Sequence, residues 1–152
     1  MFAEEAPVTK EEMEKKLQRL EDIEAIRQMH TDYVYELSAM HFEKMLDFFA
    51  EDGTLELGPR AVKGKKAIFQ VFQDVIARNL KLTDGHIVAQ PVIAVDGDKA
   101  HGHWILYIFA PEPKVGWVQG RQEVDYVRVK GQWKFRNMKF IRPWPPLEAT
   151  TH

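Results

Sequence analysis

The chain has no cysteine among its 152 residues. That excludes disulfides, thiolate nucleophiles and zinc–sulfur sites together. No apolar run approaches the roughly 20 residues a helix needs to cross a bilayer, so no membrane span is expected. A basic excess is missing as well. The formal net charge is −2 at pH 7, whereas a nucleic-acid-binding domain presents a clustered basic face. Repeats, low-complexity blocks and linkers are absent, and one domain over 1–152 is expected, with flexible tails at about 1–8 and 146–152. The opening run MFAEEAPVTKEE is acidic and lacks an apolar core. Export is therefore unsupported, and the cytoplasm is the expected location.

What is present is a helical first half followed by four strand-like runs joined by tight turns. GHIVAQPVIAV ends at Asp96-Gly97, KAHGHWILYIFA follows, WVQGRQEVDYVRV ends at Lys130-Gly131, and QWKFRNMKFIR comes last. An Asp-Gly pair between alternating runs signals a hairpin, because such turns need positive φ. Upstream, Thr9 and Glu12 have the spacing of a capping box. Leu17, Leu20, Ile23, Ile26, Met29, Tyr33, Leu37 and Met40 then recur every three or four residues, which predicts a long helix with one buried stripe. Its charged first part is expected to extend beyond the body of the domain. A short helix over Phe42 to Phe49, ended by Asp52-Gly53, comes next. A strand pair, Thr54 to Leu57 and Arg60 to Lys63, turns at Gly58-Pro59, and a third helix runs from Lys65 to Leu80. Helices followed by a meander predict an α+β fold. The Pro-rich end from Arg142 cannot continue a central strand and is expected to cross the surface or the mouth of a cavity.

This order resembles the nuclear-transport-factor-2-like cone, three N-terminal helices packed on a strongly curved antiparallel sheet that encloses a pocket. Within that superfamily the chain is similar to the SnoaL-like group. The motifs that carry the resemblance are DIEAIRQMHTDYVYEL (Asp22 to Leu37), DFFAEDGTLEL (Asp47 to Leu57), HIVAQPVIAVDGDKAHGHW (His86 to Trp104) and GQWKFRNMKFIR (Gly131 to Arg142). Some members of the group are lyases: bile-acid dehydratases, scytalone dehydratases and a dehydrochlorinase. The resemblance to the bile-acid dehydratases implies a pocket tyrosine at Tyr33, a catalytic histidine at His86 and an arginine at Arg142. Three positions depart from these patterns. Ser38 and Ile108 stand where carboxylates are expected, and Trp104 stands where the scytalone-type enzymes have a second histidine.

The residue types suit acid–base chemistry on a small molecule. An elimination or isomerisation needs a base, and histidine titrates near neutral pH. It also needs donors fixed around the oxygen that gains charge, which a tyrosine hydroxyl and an arginine can supply. Glu36, three residues after Tyr33 on nearly the same helix face, is a substitute for the lost acid; Asp84, at a strand entrance, is a weaker one. Alternation places His86, Val88 and Gln90 inward until a bulge or Pro91 disturbs the register. Gly102, Trp104, Leu106 and Ile108 follow on the next strand, and Gly120 and Gln122 on the one after. His101, His103, Tyr107, Phe109, Arg121 and Glu123 face outward.

The leading function is thus a cofactor-independent lyase or isomerase for a small hydrophobic, oxygenated molecule. His86 acts as base and Tyr33 and Arg142 hold the oxygen, while Trp104, Ile108, Gln122, Glu36 and Ser38 line the ligand's place. Two alternatives stay open. One is a non-catalytic binder using the same pocket; the other is a structural dimer module whose cavity its own side chains fill. His86 also fits a core histidine bonded to a backbone carbonyl. His101 and His103 lack companion ligands on their face, so no metal is expected, and no cofactor. The aromatic outer face predicts a homodimer, with trimers known among the proteins it resembles.

Overall fold

The computed structural model describes residues 7–143. The tail at 146–152, nearly all of the tail at 1–8 and the Pro-rich end beyond Pro143 lie outside the described residues.

Helix α1 (Lys10–Ser38) opens on the expected capping box, with the Thr9 hydroxyl accepting from the Glu12 N–H at 3.2 Å and the Glu12 carboxylate accepting from the Thr9 N–H at 2.8 Å. Every residue from Lys10 to Glu21 is exposed. The apolar spacing through Leu17 and Leu20 therefore faces water, and the buried stripe starts only at Asp22. It continues through Ile26, His30, Tyr33, Val34 and Leu37. Two of its members are polar, and both are held across the sheet. Asp22 Oδ1 accepts from the Arg128 guanidinium at 2.8 Å, and Arg128 stacks on Trp133 with its guanidinium carbon 4.5 Å from the ring centre.

A short helix α2 (Phe42–Met45) and a 3-10 turn (Leu46–Phe48) lead into β1 (Phe49–Leu57). The expected stop at Asp52-Gly53 is instead a bulge within β1, where pairing shifts register between Phe49 and Thr54. A Cβ at Gly53 would stand 2.9 Å from the Ala50 carbonyl oxygen, so the bend needs glycine. Strand β2 (Arg60–Lys63) pairs back on β1 as expected. The predicted third helix forms as α3 (Lys65–Val71), a π turn (Phe72–Ile76) and α4 (Ala77–Asn79).

Strands β3 (Gly85–Asp96), β4 (Lys99–Ala110), β5 (Gly116–Val129) and β6 (Gln132–Ile141) form the meander, and the sheet order is β2-β1-β6-β5-β4-β3. Lys130 and Gly131 take φ of 50° and 79° in the β5–β6 turn, the doubly positive geometry expected there. Four of the strand pairings are antiparallel. The fifth, β1 on β6, is parallel, because the long path through α3 and α4 carries the chain to β3 at the far edge and leaves the open edge of β6 to β1. On β3 the register slips between Ala89 and Val92, and Gln90 is exposed at φ 53°. The bulge therefore turns Gln90 out of the inward series that began at His86. Alternation on β4 and β5 matches expectation: Gly102, Trp104, Leu106, Gly120 and Gln122 are buried, while His101 and Phe109 are exposed.

The α1 stripe, α3 and the π turn close over this inner face around Phe49, Phe72, Tyr126 and Phe135, each at most 1% exposed. Burying side chains of this kind contributes about 1.5–3 kcal/mol each. No helix among the described residues is long and apolar enough to cross a membrane.

Candidate functional site

At the open end of the cone lies a cavity of about 380 Å³. Its apolar wall includes Leu37 of α1, Leu55 of β1, Ile76 of the π turn, Leu106 and Ile108 of β4 and Phe140 of β6. The wall exists because β5 carries Gly120 at the crossing point. A Cβ there would stand 2.1 Å from the Phe140 ring, so the ring lies flat on the strand and leaves the space beside it open.

Four polar side chains reach this cavity: Tyr33, Asn79, Gln122 and Arg142. Tyr33 comes from α1 amid Phe48, Phe49 and Phe135, and its ring meets that of Phe135 edge-on at 4.9 Å. Burial raises its pKa far above the usual phenol value, so the hydroxyl stays protonated and acts as a donor. It makes no hydrogen bond within the described residues. Arg142, just past the end of β6, is exposed at the rim. Asn79 is engaged, its amide donating to the Val75 carbonyl at 2.5 Å.

Gln122 is 3% exposed and belongs to a buried network. His30, 0% exposed, has Nε2 at 2.8 Å from Gln122 Oε1 and Nδ1 at 2.9 Å from the Tyr126 hydroxyl. That hydroxyl also accepts from Trp104 Nε1 at 2.9 Å, and the His30 ring stacks on Trp104 at 4.4 Å. Burial lowers the His30 pKa to about 4, against a smaller upward pull from Gln122. The imidazole is neutral at any ordinary pH.

His86 stands one residue behind the wall. It pairs across β3–β4 with Ile108, a lining residue, but is not itself among the lining residues. Its Nδ1 lies 3.2 Å from the Ser38 hydroxyl, which donates to the Val34 carbonyl at 2.9 Å. Because that hydroxyl proton is committed to Val34, Ser38 accepts from Nδ1–H, and the lone pair of His86 resides on Nε2. Nε2 is buried without a hydrogen-bond partner among the described residues. Burial lowers the His86 pKa, opposed by the charge of Asp84.

Of the eight residues named from sequence, the cavity gathers Tyr33, Ile108, Gln122 and Arg142. Ser38 meets His86 in place of the acid. Glu36 does neither: its carboxylate lies 2.6 Å from His41 Nδ1 and 3.9 Å from Lys44 Nζ, on the side of α1 away from His86. Trp104 packs inside the core on His30 rather than on the cavity. His30 is the residue that sequence reasoning missed. Its signal was a histidine at a buried stripe position, four residues after Ile26. Among the described residues no cluster of histidine and carboxylates could hold a metal ion.

Comparison with known proteins agrees with this architecture. A model of the SnoaL-like domain matches residues 18–139. No curated protein matches the chain. Among solved structures, a nuclear-transport-factor-2-like protein with a cystatin-like fold from Novosphingobium aromaticivorans superposes with a TM-score of 0.77 at 20% identity, covering 89% of this chain and 90% of its own. A second protein of that organism, provisionally named a scytalone dehydratase, gives 0.73 at 22% identity, with 85% and 97% covered. A Mycobacterium tuberculosis protein of unknown function gives 0.75 at 18% identity, with 88% and 82% covered. At these identities the likeness speaks for the fold.

Proposed function

The chain belongs to the SnoaL-like domain family, within the nuclear-transport-factor-2-like fold, a grouping that includes cofactor-independent isomerases and dehydratases; from that membership we propose that it is a lyase or isomerase of small hydrophobic carbonyl compounds. What supports the reading is an apolar cavity furnished with donors, with the buried Nε2 of His86, unpartnered among the described residues, one residue behind its wall. A neutral imidazole with one nitrogen held and the other bare is set up to take a proton. Nε2 would remove a proton from carbon α to a carbonyl, and the C–H electron pair would become an enolate. Tyr33 and Arg142 would hold the enolate oxygen. For an isomerase the imidazolium returns the proton at another carbon. For a dehydratase the enolate expels a β-hydroxyl, which takes the proton from the imidazolium and leaves as water.

The test is proton exchange on 2-tetralone in D₂O, followed by NMR. The wild-type protein is expected to accelerate exchange at the α-carbons above the buffer rate, and His86→Ala to lose about 100-fold or more of that acceleration. The lowered pKa of His86 keeps the imidazole unprotonated further into acid than a free histidine, so the rate should hold through neutral pH and fall only on the acid side of the ordinary histidine range. Exchange that survives His86→Ala would remove His86 as the base, and a wild-type protein that binds tetralone without accelerating exchange would favour a non-catalytic binder of the same ligand class.

We also assign the outer face of β3–β5 to a second copy of the chain. Ile87, Val92, Phe109 and Trp117 lie there between 41% and 61% exposed, around a ring cluster of Tyr107 with Phe109 at 6.4 Å and Trp117 at 6.1 Å.

A further inference from the structure

The buried network behind the cavity has a direction, and one end sets it. An indole Nε1–H can only donate, so Trp104 makes the Tyr126 oxygen an acceptor. Among the described residues the hydroxyl proton of Tyr126 then has one acceptor within reach, His30 Nδ1 at 2.9 Å. With Nδ1 accepting, the neutral imidazole carries its proton on Nε2 and donates it at 2.8 Å, so the Gln122 atom facing it is the carbonyl oxygen. The reverse order would have Tyr126 accept from both Trp104 and His30 and leave its own proton unmet in the core, one of the more costly defects a buried polar group can have. The side-chain amide of Gln122 therefore cannot turn over.

Its NH₂ group is left as the free end of the chain, and Gln122 lines the cavity. Among the described residues that nitrogen meets one acceptor, Met138 Sδ at 3.8 Å, and a thioether is a weak acceptor. We propose that the row Trp104–Tyr126–His30 positions Gln122 as a fixed hydrogen-bond donor, so that the cavity selects apolar ligands presenting an acceptor oxygen, a carbonyl above all, at that point. This rests on the cavity being the ligand site, and it deepens that assignment by naming which polar atom the ligand must carry. The neighbouring groups are of the same kind: the protonated Tyr33 hydroxyl and the Arg142 guanidinium both donate. An apolar wall with three donors fits an oxygenated hydrocarbon and disfavours a ligand that offers an N–H there, because donor would face donor.

Two measurements on the whole chain test this. The first uses no ligand: long-range ¹H–¹⁵N NMR of His30 is expected to show a single neutral tautomer protonated on Nε2. Trp104→Phe, which removes the donor that orients Tyr126, should mix in the other tautomer. The Nδ1-protonated form in the wild type would overturn the proposal. The second compares binding of 2-tetralone and of tetralin, its hydrocarbon counterpart without the oxygen, by titration. The ketone is expected to bind at least about fivefold tighter. Gln122→Met should abolish most of that preference while tetralin affinity stays within about twofold. Equal binding of the two compounds to the wild type, or a preference that survives Gln122→Met, would overturn the donor assignment and leave the cavity as a ligand site. Binding of neither would overturn both.

Discussion

Two histidines, His30 of α1 and His86 of β3, illustrate how much a side chain's role depends on what lies behind it. His30 is sealed in the core with both nitrogens engaged, and it holds the fold and Gln122. His86 has one nitrogen engaged and the other bare. Burial costs His30 in acid, and the direction is calculable. Its pKa is about 4 when folded and near 6.5 when unfolded, so the unfolded chain binds the extra proton first. The stability linked to this residue is complete above pH 6.5 and declines as pH falls toward 4, by at most about 3 kcal/mol. The groups packed around His30 are Gln122, Tyr126, Trp104, Tyr33 and Phe135. None of them is charged in that range. Denaturant unfolding at pH 7 and pH 4.5 should therefore show a smaller loss for His30→Gln than for the wild type, and equal losses would refute the assignment. His86 was singled out in the sequence because its motif resembles one in which a catalytic histidine stands at that position. His30 was not, because a lone histidine on a helical stripe looks the same whether it faces core or solvent. Only the arrival of Tyr126 and Gln122 from β5 distinguishes the two.

Elements were legible where a local signal forced them, and less so where a partner decided. The capping box at Thr9 and the Lys130-Gly131 turn formed as their residues demand. The parallel seat of β1 on β6 had no local signature, since it follows from which sheet edge is left open. The extent of the buried stripe on α1 was equally opaque: Leu17 and Leu20 keep the helical spacing but are exposed. Alternation on β4 and β5 was readable because period two is strict within an unbroken strand. It placed Gly120 on the inner face, and a consequence follows from its contact with Phe140. In Gly120→Ala the added methyl would meet that ring at 2.1 Å. The ring must swing away from β5, and the open side is the cavity. Stability should fall by about 1–3 kcal/mol, the usual cost of overpacking. Affinity for 2-tetralone should drop at least about tenfold, with Phe140→Ala in the same chain restoring part of it. Unchanged tetralone binding in Gly120→Ala would show that Phe140 does not shape the wall.

At the scale of the molecule, the sheet has one face closed by helices and the other left uncovered among the described residues, and that outer face is not built for water. Its centre is the Tyr107, Phe109 and Trp117 cluster, with Ile87 and Val92 on the adjoining β3. Around it stand polar pairs: Arg121 with Glu123 at 3.2 Å, and the His101 ring with the Asp125 carboxylate at 2.7 Å. An apolar centre inside a rim that carries both signs of charge can face a copy of itself across a two-fold axis, because each positive group then has a negative one within its own surface to oppose. The cavity opens on the opposite side of the sheet, so pairing in this way leaves it accessible. Light scattering should therefore give twice the 17.7 kDa chain mass at tens of micromolar. Trp117→Glu would place an unpaired carboxylate at the centre of the interface and should give the single-chain mass. Its circular dichroism and its 2-tetralone affinity should stay unchanged, since Trp117 touches neither core nor cavity. A wild-type protein that is already monomeric would remove the interface, and a threefold mass would replace the two-fold axis with a ring. If the variant lost mass and ligand affinity together, the outer face would be acting on the cavity, and the two sides of the sheet could no longer be treated as independent.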